Sequence, residues 1–416
     1  MSLDYSPEVE ESSPGRPEIW PSAPLRPGPA LEGVPVISPE ADLLGLTRRQ
    51  VDYCMECGVC TGSCPLSRVD PSFSPRLVIK RTLLEQDRDL LAGRGLWACL
   101  SCARCSARCP AEIDFPELCR LLRQRSREAG YQPQTCHYGL FQTIARLQIG
   151  LARQRRTGWA AGAGTFCRRG DYFYFVGCLP YMEVVFRYLD LHPLDSARSV
   201  LYLLNRLGVA PVLSEEECCC GHDAYWSGDE AVFLESARRN LAAIRSSGAR
   251  KVLFSCPECY HVFKHVYPRY FGELDFEVVH LSEFLAARLP GAGVVFTPGD
   301  GSGVTYHDPC RLGRLSGLYD PPRALLGNLP GTDLLEMERN RENAYCCGTS
   351  AWMECSAASQ AIQWERLAEA SRTGAGTLIT ACPKCRIHLT CAEKNRAGGV
   401  AIEDLYTYLA ARTRRD

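Results

Sequence analysis

Residues 251–263 read KVLFSCPECYHVF, and residues 377–389 read TLITACPKCRIHL. Each opens with a short apolar, β-branched run of strand length. Each then presents a Cys-Pro-x-Cys pair where that strand must end, at Cys256/Cys259 and Cys382/Cys385. On either side of these runs the matches continue. FYFVGC at 173–178 answers VTYHDPC at 304–310, two short strands closed by lone cysteines, Cys178 and Cys310. CCCGHDAYWSG at 218–228 answers YCCGTSAWMEC at 345–355, and FEVVHLSEFLAARL at 276–289 answers VAIEDLYTYLAAR at 400–412. Helical stretches over Glu230 to Ser246 and Ala357 to Ser371 fill the gaps. Strands alternating with helices predict α/β units with parallel strands. Ligand sites in open α/β sheets lie at the carboxyl ends of strands, where these cysteines fall. Two similar halves, 171–295 and 302–412, would place two such sites near a pseudo-two-fold interface.

Two further runs precede the repeat. Cys54-x2-Cys57-x2-Cys60-x3-Cys64-Pro65 is followed by Cys99-x2-Cys102-x2-Cys105-x3-Cys109-Pro110. This is ferredoxin spacing: three cysteines wrap one face of an iron–sulfur cube, and a remote fourth closes it. In two-cluster ferredoxins the fourth serves the other cluster. Cys54, Cys57, Cys60 and Cys109 are thus assigned to one [4Fe-4S] cluster, and Cys99, Cys102, Cys105 and Cys64 to the other. Zinc also takes four thiolates, usually on paired Cys-x-x-Cys arms. The segments around these motifs read as helix: Leu43 to Val51, Pro75 to Leu91 with Pro75 at its first position, and Phe115 to Ala129. The fold class is therefore a multidomain α+β and α/β chain. An all-helical two-cluster ferredoxin-like domain at 41–150 precedes two pseudo-repeated α/β cysteine-rich domains. Residues 1–40 are rich in Pro, Ser, Gly and Glu and read as a disordered tail.

The chain of 416 residues has a formal net charge of −1, so no basic field argues for nucleic acid. Clusters of Cys-x-x-Cys among 24 cysteines in a chain this long indicate metal in a reducing compartment, not a disulfide scaffold. No signal peptide and no 18-residue apolar run is found, and the expectation is a cytoplasmic protein. Peripheral docking on a membrane partner stays open.

The long motifs, Cys178/Cys219-Cys220-Gly221/Cys256-x2-Cys259 and Cys310/Cys346-Cys347-Gly348/Cys382-x2-Cys385, stand behind two ferredoxin motifs. In this the chain resembles the catalytic subunit of heterodisulfide reductase, in the form that fuses the ferredoxin-like and catalytic parts. The resemblance spans about residues 45 to 410. It implies that each five-cysteine set holds a noncubane [4Fe-4S] cluster and that the two sets act on one disulfide. It would make all eighteen cysteines of the four sets metal ligands. One departure is Cys218, which makes the first Cys-Cys pair a triple, so that Cys218 could replace Cys219 or Cys220. His307 is a candidate catalytic residue, tuning the cluster or giving a proton to a leaving thiolate. His222 is a second, weaker candidate. Arg311 and Arg314 are candidates for an anionic substrate group or for plain surface. His261 and His388 read as packing or surface residues, and Cys119, Cys136, Cys167, Cys355 and Cys391 as buried hydrophobes.

Two functions follow. One is an iron–sulfur oxidoreductase that carries electrons from the ferredoxin-like clusters to the noncubane clusters, reducing a disulfide or oxidising thiols. The other is a non-catalytic electron-transfer subunit of a larger dehydrogenase or respiratory complex, as in glycolate and lactate oxidation. The sequence shows no strand-coupled Gly-x-Gly-x-x-Gly, so flavin or nicotinamide chemistry must come from a partner. That partner is a flavoprotein or a membrane cytochrome or quinone-linked subunit.

Overall fold

A computed structural model describes residues 51–414, apart from 85, 94, 132, 151–153, 300, 302, 397 and 398. The tail read over residues 1–40 and the helix read from Leu43 lie outside the described residues.

Residues 51–131 are built from helices among the described residues. Helix α1 (Pro75–Leu83) starts as its sequence demands. Pro75 takes the first helical position, and Ser74 caps it by accepting the Leu77 N–H. It is shorter than the sequence suggests, and a separate helix runs over Asp87–Ala92. Helix α2 (Phe115–Glu128) is capped by Asp114, which accepts from Glu117 N. Its buried face carries Leu118, Cys119 and Leu122. Helix α3 (Leu140–Gly150) leads toward the repeat.

The two halves have the same plan. The first holds β1 (Tyr172–Phe175), α4 (Pro193–Arg206), α5 (Glu230–Ser247), β2 (Lys251–Phe254), β3 (Glu277–His280) and α6 (Leu281–Arg288). The second holds β4 (Val304–His307), α7 (Asp320–Gly327), α8 (Ala357–Ser371), β5 (Thr377–Thr380), α9 (Pro383–Arg396), β6 (Ala401–Asp404) and α10 (Leu405–Arg412). Each half forms one three-stranded parallel sheet, ordered β1-β2-β3 and β4-β5-β6. Parallel strands are covered on both faces, so they read as continuous apolar runs. Phe173, Tyr174 and Phe175 pair with Val252, Leu253 and Phe254, and all six are buried.

The halves are joined by exchange. Helix α4 of the first packs on α10, the last helix of the second, while α6, the last helix of the first, packs on α7 of the second. Early helix against late helix, in both directions, is what a pseudo-two-fold axis produces.

The helical region is held to the first half by a buried arginine. Arg123 on α2 is 0% exposed. Its guanidinium donates to Leu96 O (3.1 Å), Cys99 O (2.8 Å), Ser101 Oγ (3.2 Å) and Trp226 O (2.9 Å). Beside it, Gly228 comes so close that an added Cβ would lie 2.4 Å from Gln124 N. Arg123→Met should strand three buried carbonyls, each worth about 1–3 kcal/mol when unpaired. Chemical denaturation should show a loss of about 3 kcal/mol or more, and a near-neutral result would contradict this role.

Candidate metal centres

In the helical region, the loop from Cys54 turns through Glu56 and Gly58, both with positive φ (50° and 79°), into the short helix Val59–Ser63. Cys54, Cys57, Cys60 and Cys109 line one pocket together with Ile79 and Phe115. Cys64, Cys99, Cys102 and Cys105 line a second. Cys105 borders both. The second loop also bends through non-glycine residues at positive φ, Ser101 (47°) and Ala103 (57°). Such turns cost on the order of 1–3 kcal/mol each and persist where surroundings over-determine them. Burial pushes the Cys64 thiol up to about 12 and Cys105 well above its usual range. A bound cation reverses that preference, since it takes the deprotonated thiolate. Convergent thiols on loops wrapped around a shared pocket fit an iron–sulfur group. Cys57 is exposed, whereas Cys99, Cys102 and Cys105 are buried.

In the first half, β1 ends at Phe175, and the Val176-Gly177 turn delivers Cys178. That turn is fixed by Glu217, whose buried carboxylate accepts from Val176 N (3.2 Å) and Gly177 N (2.8 Å) and pairs with Arg156 at 3.3 Å. Burial nevertheless holds Glu217 up at about 7. Strand β2 delivers Cys256 and Cys259 around the start of a short helix, Pro257–His261. Gly221, at φ 80°, turns the Cys219-Cys220 pair inward, packed so tightly that a Cβ would meet Phe233 at 2.9 Å. The thiols then touch in sequence: Cys178 with Cys219, Cys219 with Cys220, Cys220 with Cys259, Cys259 with Cys256. Hydrogen bonds from Cys178 and Cys220 hold Cys219 well below the usual thiol range. Cys218 turns the other way. Its Sγ donates to Ser236 O and Cys219 O, both at 3.6 Å, and burial pushes it up to about 12.

The second half repeats this. Cys346, Cys347, Cys385 and Cys382 form a run of thiol contacts, and burial pushes Cys310 beside them up to about 12. Gly348, at φ 92°, takes the place of Gly221. Hydrogen bonds from Cys346 and Cys385 hold Cys347 well below the usual thiol range, and two histidines add to them. His307, 1% exposed on β4, accepts Arg366 Nε on its Nδ1 at 3.0 Å and hydrogen-bonds the Cys347 thiol. His388 Nδ1 lies 3.6 Å from Cys347 Sγ. The sequence reading of His388 as packing or surface holds for packing, since it is buried against Trp352, and misses this sulfur contact. Its position three residues after Cys385 on α9 turns it back over the site.

His222 is buried too, but against Asp223 and Arg311 and not a sulfur. Arg311 and Arg314 are tethers. Arg311 donates to Ser101 O and lies 4.3 Å over Trp226, and Arg314 donates to Cys102 O (2.6 Å) and Ala344 O (2.7 Å). All three guanidinium nitrogens of Arg314 are engaged by carbonyls, and Arg311 is 3% exposed. Together with Arg104, which donates to Asn343 O, they press the Cys102 loop onto the second half, where the Cys102 thiol contacts that of Cys346. Cys119 is fully buried against Cys99, while Cys136, Cys167 and Cys391 are half-buried and Cys355 is exposed. Sequence reasoning missed Glu217, Arg156 and the sulfur contact of His388. A charge placed directly before the cysteine triple was the available signal for the first.

A 4Fe-4S dicluster domain matches residues 50–113, and a cysteine-rich domain (CCG) matches twice, over 172–264 and 304–390. The chain is 28% identical, over 90% of its length and 97% of the relative's, to a dihydromethanophenazine:CoB–CoM heterodisulfide reductase polypeptide of Methanosarcina barkeri. Heterodisulfide reductase relatives thus cover 90% of the chain, which carries a 4Fe-4S dicluster domain and a duplicated CCG domain. The chain is an iron–sulfur oxidoreductase of mixed helix and sheet. It is also 25% identical to EtfAB:quinone oxidoreductase of Syntrophomonas wolfei, over 83% of this chain and 54% of that protein. A hypothetical protein from Helicobacter pylori has a related fold, with TM-score 0.52 and 12% identity, covering 90% of this chain and 72% of the other. No helix among the described residues is long and apolar enough to cross a membrane.

The orientation of Cys218 yields a test. In oxidised protein, Cys220→Ser should change the electronic spectrum of the first five-cysteine site, while Cys218→Ser should leave it intact. The reverse pattern would show that the triple is read in the wrong register.

Proposed function

We propose that the chain reduces a small disulfide, or oxidises the matching thiols, at two facing five-cysteine sites fed by a ferredoxin-like entry domain. Residues 41–150 would form that entry domain, 171–295 the first CCG domain and 302–412 the second. Cys54, Cys57, Cys60 and Cys109 would hold one cubane [4Fe-4S] cluster, and Cys64, Cys99, Cys102 and Cys105 the other. Cys178, Cys219, Cys220, Cys256 and Cys259 would hold one noncubane cluster, and Cys310, Cys346, Cys347, Cys382 and Cys385 the second.

The observation that carries the reading is the convergence, in each half, of thiols from three separate segments at the carboxyl ends of parallel strands. The two Cys-Pro-x-Cys loops also meet, with Lys384 Nζ 2.7 Å from Glu258 Oε2. Cleaving a disulfide into two thiols takes two electrons and two protons, and each cluster, when bound, supplies one electron. Duplication matches that stoichiometry. Entry through the Cys57 loop is supported by its exposure, and delivery to the second half by the Cys102–Cys346 contact. His307 and His388 would act by hydrogen-bonding Cys347, which stabilises electron-rich sulfur. Being buried, His307 fits that role better than proton delivery to a substrate. The chain would work beside a redox partner subunit, a flavoprotein or a quinone-linked membrane subunit, in the cytoplasm or at the membrane surface through that partner.

The second reading, an electron conduit without a disulfide substrate, is favoured by the likeness to a relative named as a quinone oxidoreductase. Two measurements separate the readings. Anaerobically prepared protein should carry about 16 iron with matching sulfide, four per cluster. Iron near eight would mean that the long motifs bind none. With natural partners, Cys259→Ser and Cys385→Ser should each abolish disulfide cleavage while a dye still reduces the ferredoxin-like clusters. Full turnover in both variants would leave only the conduit.

A further inference from the structure

The two Cys-Pro-x-Cys loops differ at their third position, Glu258 in the first half and Lys384 in the second. These matched residues meet. Lys384 Nζ lies 2.7 Å from Glu258 Oε2 and also pairs with Asp223 Oδ1. Asp223 stands two residues after Gly221, where the second half has Ser350 after Gly348. His222 completes the acidic side. Its Nε2 accepts from Arg311 Nε at 3.0 Å, which leaves the proton on Nδ1. That Nδ1 lies 2.9 Å from Asp223 Oδ1 and 3.5 Å from Glu258 Oε2. Lys384 is 4% exposed, and its ammonium stands 5.2 Å from the Trp352 ring.

A residue near a two-fold axis faces its own copy. In a symmetric dimer of identical halves, this position would set glutamate against glutamate or lysine against lysine. Duplication within one chain frees the copies to differ, and here they carry opposite charge. An ammonium this deeply buried needs close anionic partners, and removing one member leaves an uncompensated charge.

We propose that Lys384 is a positioning residue: seated between Asp223 and Glu258, it fixes the two Cys-x-x-Cys loops against each other. It thereby sets both the separation of the five-cysteine sites and the charge they share. This rests on the reading that both sites carry clusters, but it requires no disulfide substrate. Each electron added to a site adds negative charge beside the pair. Removing the lysine leaves two carboxylates and makes reduction harder, while neutralising Glu258 makes it easier. A purely structural strut would not give shifts of opposite sign.

The test uses the full chain, prepared anaerobically, with redox titrations followed by electron paramagnetic resonance and no substrate present. Lys384→Met should keep its iron and move at least one long-motif signal to lower potential. Glu258→Gln should move it to higher potential. Turnover of Lys384→Met with natural partners should fall about tenfold or more, as expected when reacting groups lose registration. The exchange Glu258→Lys with Lys384→Glu should recover most of that loss. Full iron with unmoved potentials in both single variants, or an exchange no better than Lys384→Met, would overturn the proposal. If Lys384→Met does not assemble its clusters, Lys384→Arg and the exchange decide the matter. Both keep a buried pair, and their failure to assemble would equally overturn it. A wild-type iron content near eight would instead refute the cluster assignment beneath it.

Discussion

Buried thiols resist losing their protons, yet a metal cluster needs several thiolates gathered from distant parts of the chain. Most of this structure can be read as the answer to that constraint. Parallel strands end with Cys178, Cys256, Cys310 and Cys382 just beyond them, so the sheets aim cysteines at one edge. Left-handed turns at Gly221 and Gly348 bring the Cys-Cys pairs back over that edge. Within each set some thiols are already pulled down, Cys219 and Cys347, while burial holds others up. A bound cluster would resolve that tension for the whole set at once.

Buried and half-buried cations organise the rest. Arg123 binds the carbonyls of the Cys99 loop, Arg311 that of Ser101, Arg314 that of Cys102, and Arg366 orients His307. A planar guanidinium can satisfy several carbonyls in fixed geometry, which a lysine cannot. Each of these groups specifies how one cysteine loop sits on its neighbour. Lys384 does the same between the halves with a single compact charge.

Much of this is legible in the sequence because it is local. Strand length, the Cys-Pro-x-Cys step and the Cys-Cys-Gly turn each occupy a few residues, and α8 runs over the residues the pattern indicates. The pairing of Cys109 with Cys54, Cys57 and Cys60 around one pocket also follows from spacing. What stays hidden depends on partners far along the chain. The helix exchange across the axis, the Cys102–Cys346 contact and the Glu258–Lys384 pair join segments that sequence pattern treats separately. Arg311 and Arg314 look like surface or substrate ligands because nothing near them in sequence reveals the carbonyls they bind. His388 reads only as packing or surface because its sulfur partner, Cys347, lies 41 residues away. The pattern from Pro75 to Leu91 indicates one helix, but α1 ends at Leu83 and another begins at Asp87. Apolar content alone does not reveal that break.

If two facing thiol-rich sites share one two-electron reaction, its stoichiometry is measurable. The decisive experiment is anaerobic turnover of the whole chain with a reduced one-electron dye and a panel of small disulfides. At least one disulfide should be consumed, with two dye molecules oxidised and two thiols released per turnover. Dye oxidation without thiol release, or no turnover across the panel in protein carrying its full iron, would contradict a shared two-electron site.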